Sequence, residues 1–133
     1  MSATSSEDLE AIDAVARDYV EGWFDGDETR MRRCLHPALV KRTIHHDPAT
    51  GDWRLGPAAD AEMMVRWTSA GDGRTTVPDE RQFEITIDHV FRHIASVRVL
   101  SSPYVDYLQI AKIGDRWLIA NVLWEVREGA MEP

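Results

Sequence analysis

Two short groups of side chains in this sequence have the types and the spacing to do chemistry in one place. Tyr19 and Trp23 lie one helical turn apart in a helical pattern, so both point to one helix face. Lys41, Thr43 and His45 alternate along a predicted strand and share one strand face. Together they offer aromatic surface, a phenol, a cation, a hydroxyl and an imidazole. Such a set suits an anionic ligand or weak acid–base chemistry.

Each group also has a purely structural interpretation. Tyr19 and Trp23 can be core aromatics whose polar atoms are satisfied inside the fold. Lys41 and His45 can lie at a solvated rim, and a β-bulge would turn the whole strand face around.

Further aromatic residues are predicted to complete a pocket lining. Trp67 falls on a predicted helix, while Tyr107 and Trp124 fall on late strands and would surround Gln109. A pocket of this kind accepts a planar or hydrophobic small molecule. The same residues would form an equally good filled core without a cavity, and both possibilities stay open.

Neither the histidines nor the cysteine indicates a metal or a covalent site. His45 and His46 are adjacent on a strand and point to opposite faces, so they cannot easily share one ion. No Cys-x-x-Cys or His-Glu-x-x-His spacing occurs. Cys34 falls on the apolar stripe of a short helix, where a thiol is typically a small hydrophobe. We therefore predict no metal site and no cofactor.

Asp106 stands in a predicted strand that otherwise contains Tyr, Val and Leu. We expect its carboxylate to pair with an arginine at a subunit interface or at the edge of the sheet. A role as a site acid is the alternative.

The bulk composition excludes several classes of protein. The chain has 133 residues with 23 acidic and 15 basic side chains, a formal net charge of -8, which repels phosphate backbones. No apolar run approaches the roughly 20 residues that a membrane helix needs, and the N-terminus does not resemble a secretory signal. We expect one domain over 1–133, residues 1–5 disordered, a cytoplasmic location, and no binding of nucleic acid or membranes.

Three helices are predicted in the first half of the chain. Thr4 or Ser5 caps the first, Gly26 ends it, and Asp27 caps a shorter second helix. Pro57 opens the third helix, after strands over 40–45 and 53–55. The segment 69–81 has no periodicity and is expected to be a mobile flap over the pocket.

From residue 83 onward the sequence is β-type, and Gly114 begins a two-residue hairpin turn. The last predicted strand is apolar on both sides, which predicts a sheet covered on both faces. Helices can cover one face, and a second copy is the simplest cover for the other. We therefore expect a homodimer formed through the outer face of the sheet.

The order of these motifs resembles one superfamily over most of the chain. The motifs are Tyr19 with Gly-Trp and Gly26-Asp27, then Leu35-His36-Pro37, then Asp106-Tyr-Leu and 114–121. They resemble the nuclear-transport-factor-2-like superfamily, and within it the lumazine-binding, polyketide-cyclase-like branch. The resemblance implies an α+β fold: a cone-shaped roll, with three N-terminal helices packed on a strongly curved, mostly antiparallel sheet. It also implies a pocket at the open end of the cone.

The enzymes of this superfamily include ketosteroid isomerase, and the comparison bears on catalysis. By resemblance Tyr19 matches the oxyanion-binding tyrosine, Thr43 the catalytic base, and Gln109 the second acid. Threonine cannot serve as a general base near neutral pH, so isomerase chemistry is disfavoured. Val122 stands where relatives often carry lysine, which makes this pocket more apolar.

Three functions follow from these residues. The leading one is a non-catalytic domain that binds a planar or hydrophobic small molecule. The second is a cyclase-, isomerase- or dehydratase-like enzyme that uses Tyr19 with His45 or Asp106. The third is a dimeric interaction domain whose cone is filled.

Overall fold

The first helix is well defined by its caps. A computed structural model of the chain describes residues 5–127, and α1 spans Ser6–Asp25. The Ser5 hydroxyl accepts a hydrogen bond from the Asp8 amide at 3.0 Å, so Ser5 is the cap of this helix. The disorder predicted for residues 1–5 therefore does not extend to Ser5, and residues 1–4 lie outside the described residues.

The turn between the first two helices also follows the prediction. Gly26 ends α1 with φ of 69°, a left-handed conformation that glycine adopts without a steric cost. Asp27 then caps α2, which spans Glu28–Cys34, by accepting from the Arg30 amide at 3.1 Å.

The chain passes from α2 directly into the sheet. Strand β1 spans Leu35–His46 and β2 spans Trp53–Leu55. Helix α3 spans Ala61–Ser69 and is capped by Asp60, so the start predicted at Pro57 is wrong. The reason is that Ala59 is held extended by two backbone hydrogen bonds with Lys41, of 2.8 and 2.9 Å.

Four further strands complete one sheet. They are β3 (Phe83–Phe91), β4 (Ile94–Ser101), β5 (Tyr104–Ile113) and β6 (Arg116–Val126). The strand order is β2-β1-β6-β5-β4-β3, antiparallel except for the parallel pair of β1 and β6. Three helices on a mostly antiparallel sheet form the α+β fold that the sequence predicts.

The core lies between α1 and the sheet face that we call the inner face. Ile12 and Ala16 of α1 have no exposed surface, and neither has Ile119 of β6. These residues share one apolar cluster with Val99 and Leu108. The apolar face of α1 therefore packs against the sheet, as its helical periodicity predicts.

A bulge in β6 decides which side chains face inward. The pairing of β5 with β6 shifts between Gln109 and Ile110, which leaves Ala120 as the extra residue. On one side of the bulge Ile119 is buried, and beyond it Val122 is buried instead of Leu123. For that reason the side chains of β6 do not alternate regularly between the two faces along the whole strand.

The opposite, outer face of the sheet carries several exposed apolar side chains. Tyr107 is 54% exposed and Leu123 is 49% exposed, and the two are paired across β5 and β6. The described residues include nothing that covers them. The predicted homodimer and the single-domain organisation of 1–133 stay predictions.

Candidate functional site

A cavity of about 1030 Å³ opens between the helices and the inner face of the sheet. Its walls come from α1, β1 and α3, from the turn between β4 and β5, and from the segment 72–80. This segment contains two 3₁₀ turns, Asp72–Thr75 and Pro78–Glu80. It therefore borders the cavity as predicted for a flap, while its mobility stays a prediction.

Three polar side chains form a hydrogen-bonded chain at the wall of the cavity, which we call the Lys41–Tyr19–Asp106 relay. The Lys41 ammonium donates to the Tyr19 hydroxyl oxygen at 2.6 Å. That hydroxyl donates to Oδ2 of Asp106 at 2.8 Å. The phenol thus bridges a cation and a carboxylate that belong to different strands.

The sheet register explains how the relay comes together. Asp106 is opposite Trp124 in the β5–β6 pair, and Trp124 is opposite Thr43 in the β6–β1 pair. Directly opposed residues share a sheet face, so all of these point inward, and so does Lys41 two residues before Thr43. Tyr19 reaches down to them from the buried stripe of α1.

Burial sets the electrostatics of the relay. Tyr19 is 4% exposed and Asp106 is 6% exposed. Burial raises the pKa of Asp106, against the opposing effects of the Lys41 charge and the Tyr19 hydrogen bond. Burial likewise lowers the pKa of Lys41, which the Asp106 charge counteracts. It raises the pKa of Tyr19 well above its usual range, so the phenol stays protonated.

Aromatic rings surround the lysine end of the relay. The Lys41 ammonium is 5.1 Å from the ring centre of Tyr19, 5.8 Å from that of Trp23 and 5.5 Å from that of Trp124. Tyr104 packs edge-on against Trp124 at 5.4 Å. Ring faces attract a cation, so this cluster favours positive charge beside flat apolar surface.

Other predicted residues border the cavity without joining the relay. The Thr43 hydroxyl donates to the backbone carbonyl of Trp124 at 2.7 Å, so its proton is already engaged. His45 packs against Gly56, where an added Cβ would come within 2.7 Å of the imidazole. Trp67 of α3 lines the cavity and is 37% exposed.

The structure separates the predicted pocket residues into three groups: those in the cavity lining, those on the outer face, and one in the core. Those that line the cavity are Tyr19, Trp23, Lys41, Thr43, His45, Trp67 and Trp124. Tyr107 and Gln109 were placed there by the prediction and instead lie on the outer face, because they alternate with inward-facing Asp106 and Leu108. Gln109 accepts a hydrogen bond from the Asn121 amide there, at 2.9 Å.

Val122 faces inward but packs in the core. It is 4% exposed, and it lies opposite Lys41 on one side and Leu108 on the other. The cavity lining does not include it.

The residue that the sequence prediction undervalued is Asp106. It was expected to meet an arginine at an edge or an interface, and it is a buried partner of Tyr19. Its isolation in an apolar strand was the available signal, because an unpaired buried carboxylate is too costly to retain without a partner.

Metal and thiol chemistry find no support in the part of the chain described. No group of three or more His, Cys, Asp or Glu side chains within residues 5–127 is arranged to hold a metal ion. Burial raises the pKa of the Cys34 thiol to about 12, and the thiol donates to the Met31 carbonyl at 3.2 Å. Cys34 is therefore a protonated core residue. None of the described helices combines the length and apolar character needed to cross a bilayer.

Solved structures share this fold at low sequence identity. An NTF2-like protein of unknown function from Silicibacter pomeroyi has a TM-score of 0.67 and 18% identity, over 94% of this chain and 100% of that one. One from Shewanella baltica has a TM-score of 0.69 and 15% identity, over 96% and 100%. A ketosteroid isomerase-like protein from Erwinia carotovora atroseptica has a TM-score of 0.58 and 16% identity, over 97% and 100%.

The chain shares the α+β fold of these NTF2-like proteins. A family match over most of the chain confirms the predicted superfamily. The family described as "Putative lumazine-binding" matches residues 7–125, and the chain belongs to it. No curated protein matches the chain. The polyketide-cyclase-like part of the resemblance and the cytoplasmic location stay predictions.

Proposed function

We propose that this protein binds a small, planar and largely apolar molecule in the cavity, with an acceptor oxygen or anionic group directed at Lys41. One observation carries the proposal: the relay places a half-buried ammonium on the wall of an aromatic-lined cavity. An ammonium has three N–H donors, and among the described residues only Tyr19 accepts one of them.

The cavity supports a ligand of ordinary small-molecule size. Ligand pockets typically enclose about 300–1,000 Å³, are mostly apolar, and carry a few polar groups that fix orientation. Here Trp23, Trp67 and Trp124 offer flat surface, and Lys41 offers the polar contact. A cavity this large does not favour the filled-cone interaction domain. The family description names lumazine binding, and lumazine is a planar heterocycle with carbonyl oxygens.

Calorimetric titration tests this proposal with four probes: lumazine, a flavin, a steroid and 2-naphthoic acid. We expect Lys41→Met to weaken binding of the naphthoate roughly tenfold or more, the value of a lost charge-assisted hydrogen bond. Lys112→Met is the matched control, because Lys112 lies outside the cavity lining.

Two results would contradict the proposal. One is that none of the four probes binds the wild-type protein. The other is that both lysine variants weaken naphthoate binding equally, which would remove Lys41 from the site.

A proton-transfer enzyme is the second candidate, and the 2.8 Å hydrogen bond between Tyr19 and Asp106 favours it. A phenol backed by a carboxylate of raised pKa can pass a proton to a bound carbonyl compound. His45 borders the same cavity as the alternative base. The test is exchange of deuterium into the carbon beside a ketone, followed by NMR. Exchange no faster than in buffer, or unchanged in Asp106→Asn, would reject this candidate.

We also propose that two copies associate through the outer sheet face. The exposed apolar residues there support it: Val40, Leu55, Tyr107 and Leu123. Leu123→Glu places a charge in the centre of that patch and should convert a dimer into a monomer in analytical ultracentrifugation. Ala14→Glu adds the same charge at an exposed position of α1, away from the sheet, and is the control. A wild-type monomer at all concentrations would refute the proposal.

A further inference from the structure

We propose that Lys41 captures ligands that carry an aldehyde or ketone, by forming an imine between its Nζ and the carbonyl carbon. The inference rests on the proposed function, since the carbonyl compound must first enter the cavity. It makes the ligand class more specific: a planar or apolar molecule whose polar end is a reactive carbonyl.

The geometry supplies the groups that imine formation requires. A nucleophilic amine must meet the carbonyl, and a proton donor and acceptor must serve the oxygen that leaves as water. Lys41 lines the cavity, Tyr19 lies 2.6 Å from its Nζ, and Asp106 lies 2.8 Å beyond. The relay therefore connects an amine, a phenol and a carboxylate through two consecutive hydrogen bonds.

Burial acts on the relay in the direction that the chemistry needs. Attack requires the neutral amine, and desolvation lowers the pKa of Lys41 while it raises the pKa of Asp106. Both effects favour passing a proton from the ammonium through Tyr19 to the carboxylate. The phenol gives its own proton to Asp106 as it takes one from Lys41, so it ends unchanged.

The step balances without any oxidant or reductant. The amine lone pair forms a C–N bond to the carbonyl carbon, and the C=O π electrons move to oxygen, which takes a proton from the relay. The nitrogen of this carbinolamine gives a proton back. A second proton on the hydroxyl breaks the C–O bond and releases water, while the nitrogen lone pair forms C=N. In sum, an ammonium and a carbonyl compound give a protonated imine and one water.

The surroundings of Lys41 also suit the product. A protonated imine keeps the positive charge of the ammonium beside the Asp106 carboxylate. The rings of Tyr19, Trp23 and Trp124, all within 5.1–5.8 Å of the Nζ position, stabilise that charge. An aromatic group conjugated to the new C=N bond would stack in the same place.

The sequence makes the test unusually clear, because Lys41 and Lys112 are its two lysines. The full chain is incubated with 2-naphthaldehyde and cyanoborohydride, which reduces an imine to a stable secondary amine. Mass spectrometry then locates the added naphthylmethyl group on Lys41, on Lys112 or on the α-amino group. In parallel, quenching of tryptophan fluorescence measures binding of the aldehyde and of 2-naphthalenemethanol, its unreactive counterpart.

We expect one label per chain, on Lys41, and none there in Lys41→Arg, which keeps the cation but forms no such imine. Tyr19→Phe should slow labelling on the order of 100-fold, the lower end of what a positioned proton-transfer group contributes. Tyr107→Phe, on the outer face, should leave the rate of labelling unchanged. Circular dichroism establishes whether each variant is folded. If Tyr19→Phe does not fold, the loss of label in Lys41→Arg still tests whether Lys41 forms the imine.

The outcomes separate this inference from the proposed function. Binding of both naphthalene compounds, with label equally on Lys112 and the α-amino group, would overturn imine formation and leave ligand binding intact. Absence of both binding and label would overturn both. Label on Lys41 that is unchanged in rate by Tyr19→Phe would remove the relay from the reaction and overturn the mechanism proposed.

Discussion

The two lysines of this chain meet similar partners near opposite ends of α1, and the results differ. Lys112 donates to Asp8 at 3.0 Å and lies 6.0 Å from the Trp117 ring centre, and the Trp117 indole also donates to Asp8 at 3.0 Å. Lys41 is linked to Asp106 through Tyr19 beside Trp23 and Trp124. Asp8 and Tyr19 are roughly 16 Å apart along the helix, by the helical rise per residue.

Solvent access accounts for the difference. Lys112 and Asp8 have side chains that are 29% and 23% exposed, and hydrogen bonds from Trp117 and Lys112 lower the pKa of Asp8. Asp106 is almost fully buried, and desolvation raises its pKa. Similar side chains therefore form a partly exposed ion pair at Asp8 and a buried relay at Asp106. Charged side chains that face a cavity are better guides to function than charged pairs that face water.

Tyr19→Phe should show the largest effect of the changes that probe this comparison. It removes the acceptor of Lys41 and the donor of Asp106 at once, and leaves a half-buried ammonium and a buried carboxylate without their partner. We expect a loss of about 2 kcal/mol in the free energy of unfolding, measured by urea denaturation. Tyr107→Phe on the outer face should change it by less than about 0.5 kcal/mol. Equal losses in the two variants would mean that the relay contributes nothing to stability.

The pH dependence of stability should have opposite signs at the two carboxylates. Asp106 has a raised pKa, so the folded protein holds its proton more tightly, and its contribution to stability falls as the pH rises from 3.8 to its folded pKa. Asp8 has a lowered pKa, so its contribution is complete above 3.8 and is lost as the pH falls toward its folded pKa. The slope for Asp106 cannot exceed about 1.4 kcal/mol per pH unit, the value for one proton.

Urea titrations at a series of acidic pH values measure these slopes. The free energy of unfolding of the wild type minus that of Asp106→Asn gives the contribution of Asp106 at each pH. The same difference with Asp8→Asn gives the contribution of Asp8. Slopes of the same sign would contradict the assignment of Asp106 as the desolvated partner.

Lys112→Met should show the smallest effect. A partly exposed ion pair contributes less than about 1 kcal/mol, and salt screens it. We expect the variant to lose about 0.5 kcal/mol of unfolding free energy at low ionic strength and less at 1 M salt. A loss as large as that of Tyr19→Phe would mean that the hydrogen bonds of Lys112 and Trp117 to Asp8 stabilise the fold as strongly as a buried network does.

Much of this fold could be predicted because its signals are local. Ser5, Gly26 and Asp27 cap or end helices by contacts within a few residues, and the hairpin at Gly114 needs only its own positive φ of 63°. Apolar periodicity likewise placed α1 on the sheet. The start of α3 was missed because the bonds of Ala59 to Lys41 join segments far apart in sequence.

The candidate site could be predicted only in part, because it depends on which strand faces point inward. Alternation relates Tyr107 to Gln109 but does not say which face both take. That is decided by Asp106 opposite Trp124 and by the bulge at Ala120, and neither is visible in one strand alone. The chosen residues of α1 and β1 line the cavity, since one helical stripe and the resemblance oriented them, while their role in a site stays a prediction.

The 3₁₀ turn Asp72–Thr75 that borders the cavity carries a constraint on ligand size. At Gly73 a Cβ would come within 2.2 Å of the Trp23 carbonyl oxygen and 2.7 Å of its carbonyl carbon. Backbone atoms cannot yield as a flexible side chain can, so any other residue would lift this turn away from the helix. Asp72, Thr75 and Trp23 line the cavity, so its shape at this turn depends on a neighbouring residue that has no Cβ. Gly73→Ala should move this turn away from Trp23 and let larger ligands enter the cavity.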